Sequence, residues 1–157
     1  MLLRVAVVVS LLYSVAAAQE AGQKAQAAYQ HFYCHHIIPL MADADGTKLL
    51  EQHENHVWAG IREARKMMTE IEKFKGANQE DWLEHAPANW GYYLNAGPSE
   101  DFVIGMLYEQ VRGVVERQIL QEEDGRYISN IALYQKNARA SYDENGCKDL
   151  KLSLIHI

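Results

Sequence analysis

Between Thr47 and Lys75 the apolar side chains return every three or four residues. Leu50, His53, Val57, Ile61, Ala64, Met68, Ile71 and Phe74 align on one face of a helix, and Glu51, Glu54, Glu63, Arg65, Lys66, Glu70, Glu72 and Lys73 take the rest. The 29 residues contain no proline, and as one helix they would reach roughly 43 Å at about 1.5 Å per residue. Asp43-Ala44-Asp45-Gly46 forms a turn before it, with Asp45 or Thr47 as the cap, and Gly76 ends it. A stripe that long needs other helices to cover it.

Three further segments supply them. Glu20 to Tyr33 is rich in good helix formers, with Ala25, Ala28, Phe32 and His35-His36 on one face and Pro39 ending the helix near Ile38. Ser99 caps a third helix with Glu100 and Asp101 in its first turn. Its face carries Val103, Ile104, Leu107, Val111, Val114 and Val115, and it runs to about Glu123, before the break at Asp124-Gly125. A fourth presents Tyr127, Ile131, Tyr134, Ala138 and Tyr142, and Asn145-Gly146 turns the chain into Cys147. No stretch alternates as a strand does. The pattern predicts an all-α, single-domain helical bundle of about four main helices, one of them long.

The link from Ala77 to Pro98 is irregular and long for a helix-to-helix connection. Glu80 to His85 has room for a helical turn or two, and Asn89-Trp90-Gly91 and Asn95-Ala96-Gly97-Pro98 read as turns. Trp82, Trp90, Tyr92 and Tyr93 sit in this link. Such rings either present anchors to a ligand or partner or roof the bundle as core.

The two ends change the domain picture. Arg4, the apolar run Val5 to Val15 and the small residues Ala16-Ala17-Ala18 have the three parts of a secretory signal peptide, giving a leader over residues 1–18. The run falls short of the roughly 20 residues a span needs, so no integral membrane segment is expected in the mature chain. At the other end Leu152-Ser153-Leu154-Ile155-His156-Ile157 resembles the in-frame translation of a transposase-type sequencing adapter, leaving residues 19–151 as the bundle domain. Once Arg4 leaves with the leader, 14 basic residues face 21 acidic ones, a net charge of −7. That balance, with no basic patch, argues against nucleic acid as a partner. Cys34 and Cys147 make an even pair in an exported chain, expected to form a disulfide from the first helix to the last unless one of them pairs elsewhere.

Candidate chemistry is sparse. His31 and His35 share one helical face and His53 and His56 another, so two facing pairs could bind a divalent metal, the competing reading being hydrogen-bonded core histidines. His53-Glu54-Asn55-His56 lacks one of the two residues that a zinc-protease motif places between Glu and the second His. Read as a calcium loop, Asp43-Ala44-Asp45-Gly46 would place Met41 and Gln52 at end positions that need carboxylates. No phosphate loop, nucleophile elbow or dinucleotide fingerprint occurs, and no cofactor or catalytic residue is implied. These features point to a secreted, extracellular, non-enzymatic binding protein. The first expectation is a carrier of a small hydrophobic ligand, motivated by the Met- and Ala-rich stripe and the aromatic link. The alternative is an extracellular protein–protein interaction module, and metal binding by the histidines is a weaker one.

Overall fold

The computed structural model describes residues 2–41, 46–74, 82, 84–94, 96–122 and 124–150. Among these there are five helices and no strand: α1 (Leu2–Met41), α2 (Gly46–Phe74), the single turn α3 (Trp90–Tyr93), α4 (Glu100–Leu120) and α5 (Ile131–Glu144). The fold is the all-α bundle that the periodicity predicts. No described helix is long and apolar enough to cross a membrane. Asp43 to Asp45, Gly76 and residues 151–157, where a turn, a helix stop and the adapter-like tail are expected, lie outside the described residues.

α1 is the helix around which the others gather. Ala18, Ala21, Ala25 and Ala28 are fully buried along it, followed by Phe32, Cys34 and Ile37. Small side chains let α2 approach closely, and the two helices run antiparallel: Lys24 pairs with Glu63, His31 meets His56, and His35 meets His53. The approach is close at Gly60, where a Cβ would sit 2.5 Å from the buried ring of Phe32. That packing rotates α2 by about one residue from the sequence reading. His56, Ala59, Gly60, Ala64 and Met67 are buried, while His53, Val57, Ile61, Met68 and Ile71 are only half-buried. The side chains of Leu50 and Phe74 lie outside those described.

Two boundaries also differ. α1 passes unbroken through Ala18-Gln19 and carries Pro39 in its last turn, reaching a buried Met41 instead of stopping near Ile38. There the proline removes only the hydrogen bond to the His35 carbonyl, with little helix left beyond it to lose. α5 starts at Ile131, because the Asn130 side chain accepts from the Leu133 amide at 3.2 Å. Tyr127 therefore precedes the helix, bridged to Gln121 across the Asp124-Gly125 turn, and both Tyr127 and Ile131 are exposed rather than on the core face. Ala138 and Tyr142 do face the core, with Tyr134 half-buried.

α4 follows the sequence reading, except that it ends at Leu120 rather than near Glu123 and leaves Val114 only half-buried. Ser99 accepts from the Phe102 amide, and Val103, Ile104, Leu107, Val111 and Val115 are buried, with Ile119 extending the stripe. Cys34 and Cys147 form a buried disulfide with Cα atoms 5.6 Å apart, which ties α1 to the turn after α5. Beside it the Tyr33 hydroxyl donates to Gln118 Oε1 of α4 at 2.8 Å, so the hydroxyl of Ser141 on α5, 2.5 Å away, donates to Tyr33.

Candidate functional site

Five histidines converge where α1, α2 and α4 meet. The spacing that puts His31 and His35 on one face of α1 also sets them a turn apart along the seam with α2, so each finds its own partner. His31 Nδ1 lies 3.1 Å from His56 Nδ1. The ring of His35 stacks on that of His53 with centroids 3.8 Å apart. His36, beside them, packs on the ring of Tyr108 of α4 at 4.3 Å.

The hydrogen bonds fix most of the tautomers. A carbonyl only accepts, so His35 Nδ1 donates to the His53 carbonyl at 2.9 Å, and its Nε2 then accepts from the Tyr108 hydroxyl at 2.8 Å. His36 Nε2 donates to the Tyr108 carbonyl at 3.2 Å. In the His31–His56 pair one Nδ1 donates and the other accepts, which requires at least one neutral ring. Whichever donates, His56 Nε2 is buried with no hydrogen-bond partner among the described residues.

Every ring of the cluster is held towards its neutral form, with desolvation by burial the largest cause in each. His56 is pushed down to about 4 by burial and then by its neighbours His31, His35 and His53. His36 also falls to about 4, from burial and His35, against a partly compensating bond to the Tyr108 carbonyl. Glu63 and Glu54 oppose the shifts of His31 and His53 respectively.

As ligands, the four candidate histidines divide into His31 with His56 and His35 with His53. Among the described residues no group of three or more His, Cys, Asp or Glu side chains is arranged to hold a metal ion. The arrangement is a network of neutral imidazoles bonded to one another, to backbone carbonyls and to Tyr108. His36 and Tyr108 complete it, and the sequence signal for His36 was only its adjacency to His35.

The aromatic link divides too. Trp90 is fully buried and Trp82 almost so, while Tyr93 is half-buried and Tyr92 is 85% exposed. Trp90 Nε1 donates to Gln110 Oε1 at 3.0 Å, and its ring meets Tyr29 edge-on at 6.2 Å. Of the four, only Tyr92 stands open to a partner. Trp90→Ala should cost about 3–5 kcal/mol, the usual loss for a buried large ring. Urea denaturation of the variant checks this; an unchanged midpoint would remove Trp90 from the core account.

The largest exposed ring is one that the periodicity passed over. Trp58, 48% exposed, stands on the outer face of α2. It borders an open groove of about 400 Å³ lined by Ile61, Arg62, Arg65, Lys66 and Thr69. The signal was in the sequence, since residues 54, 62 and 65 share its face and all are charged. A second open cleft, about 390 Å³ and mostly polar, lies between α1, α4 and α5 around Tyr33, Gln118 and Ser141. No protein-family model, curated protein or solved structure matches the chain.

Proposed function

We propose that the protein is exported and works outside the cell as a non-enzymatic binding protein that docks another protein through the outer face of α2. The leader-like pattern of residues 1–18 and the Cys34–Cys147 disulfide support an oxidising, extracellular setting. The observation that carries the docking reading is Trp58, left half open on a charged helix face while Trp82 and Trp90 are buried. Tryptophan and arginine are the side chains most enriched where interfaces concentrate their binding energy. Arg65 pairs with Asp101 and Lys66 with Glu63 across exposed surface. Such pairs contribute under about 1 kcal/mol, so a partner's carboxylate can exchange into them at small cost.

The carrier reading ranks behind it for a reason of shape. Ala64, from the oily stripe that suggested a ligand, and Met67 beside that stripe are packed to zero exposure against neighbouring helices. The groove beside Trp58 is open rather than enclosed, which suits a protein surface better than a small apolar molecule.

Trp58→Ala should leave the melting temperature nearly unchanged, as exposed sites usually move stability by less than about 0.5 kcal/mol. It should weaken partner binding by about tenfold or more. Native mass spectrometry of protein recovered from the medium checks this. A hetero-complex lost in Trp58→Ala supports docking. A lipid-sized adduct indifferent to the substitution favours the carrier, and bare monomer in both removes the proposal's support.

A further inference from the structure

The histidine cluster lies on a boundary between parts of the bundle that are held together differently. α1, α4 and α5 are tied by the Cys34–Cys147 disulfide and by Tyr33, which bonds to Gln118 on α4 and Ser141 on α5. The disulfide does not tether α2. It lies on α1 through Ala59, Gly60, Ala64 and Met67, and its polar links include the two histidine pairs, the 3.2 Å bond from Tyr142 to Gln52, and the surface pairs Arg65–Asp101 and Lys24–Glu63.

We propose that the cluster is an acid-operated latch: protonation of the histidines on both sides of the α1–α2 seam drives α2 off α1, while the disulfide keeps α1, α4 and α5 together. The proposal stands independently of the docking face. Its physical basis is that each pair accommodates one proton but not two. A single proton on His31 or His56 turns their contact into a charge-assisted bond, which is stronger. A second proton makes both Nδ1 atoms donors at 3.1 Å, and the bond becomes a repulsion. The His35–His53 stack likewise brings two cations face to face at 3.8 Å once both rings are charged.

The surroundings offer little relief. From α1 the facing groups are His31, His35 and His36; from α2 they are His53 and His56, with Glu54, Arg62 and Glu63; from α4 they are Tyr108, Glu109 and Arg112. Glu54 and Glu63 favour charge on His53 and His31, but Lys66 and Lys24 already engage Glu63. Arg62 and Arg112 oppose the charged forms of His31 and His36, and among the described residues no carboxylate offsets the cluster at His36 or His56. The remaining protons bind readily only when the seam opens to water, so uptake and opening are coupled and cooperative.

Hydrogen exchange read by mass spectrometry on the full disulfide-bonded chain tests this at about pH 7.5 and about pH 4.5, with rates corrected for the intrinsic effect of pH. Peptides from α2 should exchange at least tenfold faster in acid relative to those around Cys34 and Cys147, and recover on return to neutral pH. The double variant His31→Gln/His56→Gln should open at lower pH and less steeply. Should that variant fail to fold, ring titration of the wild type by NMR gives the same answer. Cluster histidines that take up protons together with α2 opening support the latch, and independent titration overturns it. Unchanged α2 protection in acid, simultaneous loss of protection in all helices, or an unshifted midpoint in a folded double variant would each overturn it.

Discussion

Lowering the pH from 7 to 4 should cost this fold on the order of 5 kcal/mol, with the loss beginning near pH 6.5. An unfolded histidine titrates at about 6.5, whereas His36 and His56 in the fold are lowered to about 4 and His31, His35 and His53 are lowered as well. Between those values the unfolded chain binds more protons than the folded one, so stability rises with pH. It is fully present above about 6.5 and drains away as pH falls towards 4. Each such histidine contributes a slope of about 1.4 kcal/mol per pH unit, hence about 3 kcal/mol for His56 alone. Urea midpoints measured at half-unit steps should fall steadily from neutrality. The early onset identifies histidines, because ordinary carboxylates titrate only near 4. His56→Gln should flatten the slope by about one histidine's share. Equal midpoints at pH 7 and pH 5 would show that burial does not hold these rings neutral.

The parts of this fold that could be read from sequence are those where one rule acts alone. Ser99 and the two acidic residues after it announce α4, and the valine, isoleucine and leucine stripe behind them points inward, Val114 being only half-buried. The long amphipathic segment is a helix, Gly46–Phe74, within a residue of its expected bounds. The two cysteines pair as their number and placement suggest. Reading fails where a close approach outweighs hydrophobicity. Gly60 and Ala59 carry almost no apolar weight, yet they mark the line along which α1 and α2 touch, and this turns α2 away from the face set by Val57 and Ile61.

The candidate site was legible to a similar depth. The spacing paired His31 with His35 on one helix and His53 with His56 on the other, whereas the contacts run across the seam, His31 to His56 and His35 to His53. That they bond to each other and to backbone depends on the antiparallel register of α1 and α2, which is a property of packing and not of spacing. The aromatic link shows the same limit from the other side. Composition marks Trp82, Trp90, Tyr92 and Tyr93 alike, but burial places two in the core and leaves Tyr92 outside. Trp58 escaped because a lone ring among charges looks like noise to a periodicity argument.

Reduction of the Cys34–Cys147 bond should destabilise the protein by about 4–5 kcal/mol, through the unfolded state more than the folded one. The two cysteines are 113 residues apart, so the bond closes a long loop in the unfolded chain, where the entropy lost on closure is large. Chains of this size are stable by about 5–15 kcal/mol in total, which makes the loss a large fraction. At about 2–4 °C per kcal/mol, the melting temperature should fall by roughly 8–20 °C on adding reductant. Cys34→Ala/Cys147→Ala should fall further, because both sulfurs are buried and their packing goes with them. Comparing the reduced wild type with the double variant therefore separates the chain-entropy part from the packing part. A melting temperature indifferent to reductant, with thiol titration confirming two free cysteines, would mean that the Tyr33 contacts to Gln118 and Ser141 and the alanine-lined seam of α1 already hold the ends together without the bond. The entropic reading predicts the opposite: the folded state keeps these contacts, and what the bond removes is the freedom of a chain that no longer makes them.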